Sequence, residues 1–122
     1  MTLTFIEIEN FMECRDDYFT TDGAFSDLQQ ALLSDPKAGS VMRGCGGLRK
    51  IRWPDARRGK GKRGGLRIIY QLIPELEMAV FTDVYDKDEA DDLTPEEKQI
   101  LTDLANTSRS RLFALATQQR KR

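Results

Sequence analysis

The chain has 122 residues, 39% hydrophobic and 32% charged, with 19 basic and 20 acidic side chains and no histidine. That length suits one domain able to bury a core on folding, and a net charge of −1 argues against a generic nucleic-acid binder. Without histidine the commonest general base and the commonest zinc ligand are missing, and no serine or cysteine can be activated by imidazole.

The opening MTLTFIEIE has neither a basic n-region nor a long apolar run. No segment approaches the roughly 18 apolar residues of a membrane span, so a cytosolic protein with no membrane partner is expected. Cys14 and Cys45 are far apart in sequence and form no metal-binding pattern, which suits reduced thiols.

Residues 3–8 alternate loosely around Leu3, Phe5, Ile6 and Ile8, predicting a short strand. Phe11, Cys14, Tyr18 and Phe19 then form a helical stripe for which Asn10 suits the N-cap. Asp22 suits the cap of a second helix with Phe25, Leu28, Ala31 and Leu32 on its apolar face, stopping before Pro36 and Gly39. Three strands are expected next, over 48–53, 66–73 and about 77–85, the last two joined closely enough to require an antiparallel hairpin. Between the first two lies a loop of about residues 54–65, near the upper limit for a structureless connection in a compact domain. Thr94-Pro95-Glu96-Glu97 reads as a capping box with proline at the first helical position. The final helix places Ile100, Leu101, Leu104, Ser108, Leu112 and Leu115 on one face and is expected to give way to a polar tail from about Gln118. The order β-α-α-β-β-β-α implies a single α+β domain over 1–122: a small, twisted, mainly antiparallel sheet with helices packed on one face.

Charge is concentrated in one place. The stretch Arg43–Arg67 holds ten of the 19 basic residues and a single acid, Asp55, so the molecule is an acidic body with one basic patch. Glycines at 44, 46, 47, 59, 61, 64 and 65 interrupt it and can offer backbone N–H groups to an anion. Gly59 to Gly64 spells the dinucleotide pattern GxGxxG, but the element that follows is a strand where the fingerprint needs a helix. Asp86, Asp88 and Glu97 fall at calcium-loop spacings, yet Asp91 occupies the position that requires glycine.

The remaining set of lysines, arginines and tyrosines fits metal-free RNA cleavage, in which a base takes the 2′-hydroxyl proton and cations stabilise the crowded phosphorane-like transition state. Like charges from Arg57, Arg58 and Arg63 favour Lys60 or Lys62 as that base. Arg67, on a strand at the loop's exit, suits phosphate stabilisation, because rigid elements hold a charge in place. A solvated basic loop that binds RNA without cutting it remains the alternative.

Three blocks, Gly44–Arg52, Gly59–Tyr70 and Val84–Lys87 with Asp92-Leu93-Thr94, resemble the HigB branch of the RelE/ParE toxin superfamily. The resemblance implies a RelE-like fold and the toxin of a bacterial type II toxin–antitoxin module: an mRNA interferase, an endoribonuclease that cuts mRNA in the ribosomal A site without a cofactor. It assigns Arg67, Lys60, Lys62, Tyr85 and Lys87 to the catalytic region, with Arg49, Lys50, Arg52, Arg57, Arg58 and Arg63 gripping mRNA and rRNA backbone. It also implies a cognate helix-turn-helix antitoxin. Some RelE-type members carry an arginine and a tyrosine beyond the last strand, where this chain has Glu89, Ala90, Asp91 and Asp92, which leaves the general acid and base unassigned. The superfamily also includes ParE-like gyrase-directed toxins, so a gyrase poison and a non-catalytic RNA-binding module stand as alternatives.

Overall fold

The computed structural model of the chain describes residues 2–55, 57, 65–86 and 93–120, without the side chain of Arg120. Strand β1 (Thr4–Glu7) leads into helices α1 (Glu9–Tyr18) and α2 (Asp22–Ser34), followed by strands β2 (Ser40–Val41), β3 (Arg49–Trp53), β4 (Leu66–Ile73) and β5 (Met78–Asp86) and by helix α3 (Pro95–Arg120). This is the expected α+β order with one addition, β2, which at two residues is too short to leave a period-2 signal. The sheet runs β1-β5-β4-β3-β2. Its pairs are antiparallel except β1 with β5, which is parallel.

The alternation in β4 divides the core. Leu66, Ile68 and Tyr70 pack with Phe11, Phe19, Leu28 and Leu32 of the α1–α2 layer, whereas Ile69 packs with Leu48, Tyr85, Leu101 and Ala105 beneath α3. The helices therefore occupy both faces, α1 and α2 on one and α3 on the other, where the sequence reading put them all on one. Both faces of β4 are buried, which fits its near-continuous run of apolar residues. Phe81 is the hub of the first layer, its ring stacked 5.0 Å from Phe11 and 5.7 Å from Phe5 and tilted against Phe25 at 5.4 Å.

Several local expectations are corrected. Asn10 lies inside α1, whose N-cap is Ile8, and its amide donates to Asp83. Thr21, one residue before Asp22, caps α2 by accepting from the Ala24 N–H. On α3 the sheet-facing residues are Leu101 and Ala105, one turn apart, while Ile100 is 60% and Leu115 50% exposed. The helix also continues through Gln118 to Arg120, past the expected start of a polar tail. The Thr94–Glu97 box forms as expected, Thr94 N–H to Glu97 Oε1 at 3.0 Å and Glu97 N–H to Thr94 Oγ1 at 3.1 Å.

Gln71, 4% exposed, ties α3 to the sheet by donating to the Ala105 carbonyl at 3.2 Å. The glycines at 44, 46 and 47 all adopt positive φ, shaping a tight turn that Thr102 of α3 holds through the Gly44 carbonyl. These glycines serve the turn between β2 and β3, and Cys45 is buried within it. Among the described residues no helix is long and apolar enough to cross a membrane.

Candidate nucleic-acid interface

Strand register brings three of the predicted residues into one row. Arg67 of β4 stands opposite Arg52 of β3 on one side and Tyr85 of β5 on the other. All three side chains belong to the face that α3 covers, because their neighbours Ile51, Ile68 and Val84 belong to the other. Lys50, opposite Ile69, joins the same face two residues before Arg52.

The row lies at the end of the sheet where β3 finishes, β4 begins and β5 finishes. Lys60, Lys62, Lys87, Arg58 and Arg63 lie outside the described residues.

Exposure differs sharply along the row. Arg52 is open to solvent, whereas Arg67 is 3% and Tyr85 9% exposed. Arg49 is not part of this group. It points to the α1–α2 face, opposite Tyr70, and its Nη2 donates to the Lys37 carbonyl at 2.8 Å.

Arg57 is likewise engaged within the fold. Its Nε and Nη2 fork onto the two oxygens of Asp55 at 2.9 and 2.8 Å, and Nη2 also reaches Asp86 at 3.2 Å. The guanidinium lies 4.7 Å over the Tyr18 ring, and the Asp17 carbonyl accepts from Nη1. Asp55 and Asp86 are 0% and 1% exposed. The hydrogen bonds that Arg57 donates to Asp55 raise its pKa further, against a smaller opposing effect of desolvation. One guanidinium thus ties together the end of β3, the end of β5 and the C-terminal turn of α1.

Sequence reasoning assigned Arg57 to RNA and gave Asp55 no role. The signal was the lone acid two residues before an arginine in an otherwise basic run. In the sequence Asp86 stands out for its calcium-loop spacing, and its partner Arg57 becomes visible only once β5 is paired with β4. No cluster of three or more His, Cys, Asp or Glu side chains among the described residues is arranged to hold a metal ion.

A scan of the sequence against protein families finds none whose profile matches it.

Proposed function

We propose that this chain is a HigB-like toxin that cleaves mRNA on the ribosome. The observation that carries the reading is the Arg52–Arg67–Tyr85 row at the sheet end where β3 and β5 finish and β4 begins. In the proposed step a base, Lys60 or Lys62, removes the 2′-hydroxyl proton, and the 2′-oxygen attacks the adjacent phosphorus. The bond to the 5′-oxygen then breaks, giving a 2′,3′-cyclic phosphate and a 5′-hydroxyl. Arg67 stabilises charge on the non-bridging oxygens, with Tyr85 and Lys87 assisting and Lys50, Arg52, Arg58 and Arg63 on the RNA backbone. Because Arg67 is 3% exposed, its surroundings must open as RNA docks, and that opening belongs to the proposal. Arg49 and Arg57, held by Lys37 and by Asp55 and Asp86, support the fold of the site and not the grip. The partners proposed with this activity are ribosome-bound mRNA, rRNA and a helix-turn-helix antitoxin, in the cytosol.

One observation favours a second reading. A nearly covered Arg67 also suits a structural cation in a protein that binds RNA and leaves it intact. Purified protein added to translating ribosomes separates the two: mRNA cut within codons in the A site supports the interferase, and intact mRNA with ribosomes bound supports the binder.

A further inference from the structure

A groove of about 320 Å³ opens beside the Arg52–Arg67–Tyr85 row, on the same face of the sheet. Arg43, Lys50 and Lys98 contribute to its walls from three different elements: the glycine turn, β3 and the first turn of α3. Met42, Cys45 and Leu93 give it an apolar lining, with Met42 9% and Cys45 1% exposed and both packed into the core beneath α3. Its volume is at the small end of the roughly 300–1,000 Å³ typical of ligand sites. Cations gathered round an apolar floor match the two halves of a nucleotide, a charged phosphate and a base with an apolar face.

Lys50 fixes how the groove relates to the row. It precedes Arg52 by two residues on one strand, so the two side chains project from the same face roughly 7 Å apart along it. A strand of RNA crossing Arg52 and Arg67 can therefore continue past Lys50 into the groove.

We infer that this groove is a nucleotide subsite for single-stranded RNA, holding the nucleotide next to the phosphate that faces Arg67. The base packs on Met42, Cys45 and Leu93, and its phosphate meets Arg43, Lys50 and Lys98. The inference rests on the RNA-binding half of the proposed function and not on cleavage.

The test uses the purified full chain and a fluorescently labelled RNA tetranucleotide, 2′-O-methylated at every position so that it cannot be cut, read by anisotropy. Wild-type protein should bind it, and the Arg43→Ala/Lys98→Ala double variant should bind about tenfold or more weakly with a shallower salt dependence. Arg111→Ala, which removes a charge elsewhere on α3, should bind as wild type, with thermal unfolding confirming that every variant is folded. Inorganic tripolyphosphate should compete poorly, since it lacks bases. Wild-type affinity in the double variant, failure of the wild type to bind, or equal competition by tripolyphosphate would each overturn the subsite. Loss of binding in the double variant together with uncut mRNA on ribosomes would uphold the subsite while removing the endonuclease reading.

Discussion

Tyr85 faces Arg67 because β5 carries one residue more than β4 can pair. Ile69 is in register with Asp83 and Tyr70 with Phe81, which leaves Thr82 unpaired in a bulge. Strict alternation from Phe81 would turn Tyr85 towards α1 and α2. The bulge reverses the phase, sending Val84 into that layer and Tyr85 to the α3 face beside Arg67.

Deleting Thr82 should therefore remove the bulge and keep Tyr85 opposite Arg67 and Asp86 beside Arg57, because Asp83 would then follow Phe81 in the alternation that β4 already pairs. The loss should stay below about 3 kcal/mol, the scale of a buried carboxylate deprived of its partner. Thr82→Ala, which keeps the bulge and removes only a 3.5 Å hydrogen bond to the Val80 carbonyl, should cost under about 1 kcal/mol. Urea unfolding measures both variants, and a loss of about 3 kcal/mol or more on deletion would contradict the retained faces.

Arg57 makes the second prediction. Arg57→Ala leaves two buried carboxylates without the guanidinium they share and should destabilise by roughly 3 kcal/mol, at the low end for a broken buried pair because the arginine side chain is 29% exposed. Arg57→Lys should recover little of this, since a single ammonium cannot fork onto Asp55 while reaching Asp86. Equal stability of Arg57→Lys and wild type in denaturant titration would show that the fork is unimportant.

Gly39 sits at φ 83° where the chain enters β2, and a Cβ there would lie 2.3 Å from the Lys50 carbonyl oxygen. Gly39→Ala combines left-handed backbone strain with a backbone clash that no rotamer relieves, so a loss of about 2 kcal/mol or more is expected. Gly23→Ala, with open space around its Cβ and a helical backbone, should be neutral or stabilising by comparison. Paired thermal melts test this.

Burial raises the pKa of the Tyr70 phenol, with the charge of Arg49 opposing the shift. The folded state thus holds its proton more tightly than the unfolded chain. The corresponding stability is complete below the unfolded value of about 10 and is lost as pH rises through the higher folded value. Stability should fall on the alkaline side, and Tyr70→Phe should flatten that fall. The variant should also lose about 1 kcal/mol near neutrality, because the hydroxyl lies 2.6 Å from the Ala38 carbonyl oxygen. An identical alkaline decline in both proteins would contradict the assignment to Tyr70.

Elements with a strong local signal were legible in the sequence: the alternating β4, the α2 stripe and the Thr94–Glu97 box each depend on neighbours within a few residues. The bulge was not, because Thr82 breaks alternation only by reference to β4. Nor was the sided packing of α3, since Leu101 and Ala105 are no more apolar than the exposed Ile100 and Leu104. At the site, the strand position of Arg67 was readable from its place in an alternating run. The fate of Arg57 was not, because its partners Asp55 and Asp86 meet only when the ends of β3 and β5 come together. Charge density marks where an arginine can meet a polyanion, but buried carboxylates decide which arginines are already taken.

The central claim is that Arg67 acts on RNA, and its burial determines how that must be tested. Removing the side chain of a buried cation can unfold the protein, so loss of activity in Arg67→Ala alone would be ambiguous. The decisive measurement is mRNA cleavage on purified translating ribosomes by wild type and by Arg67→Lys, with circular dichroism showing that both are folded. The proposed role predicts A-site cleavage by wild type and a loss of roughly 10²–10³ in rate for Arg67→Lys, as for one preorganised donor removed. Undiminished cleavage by folded Arg67→Lys, or intact mRNA with the wild type, would contradict it.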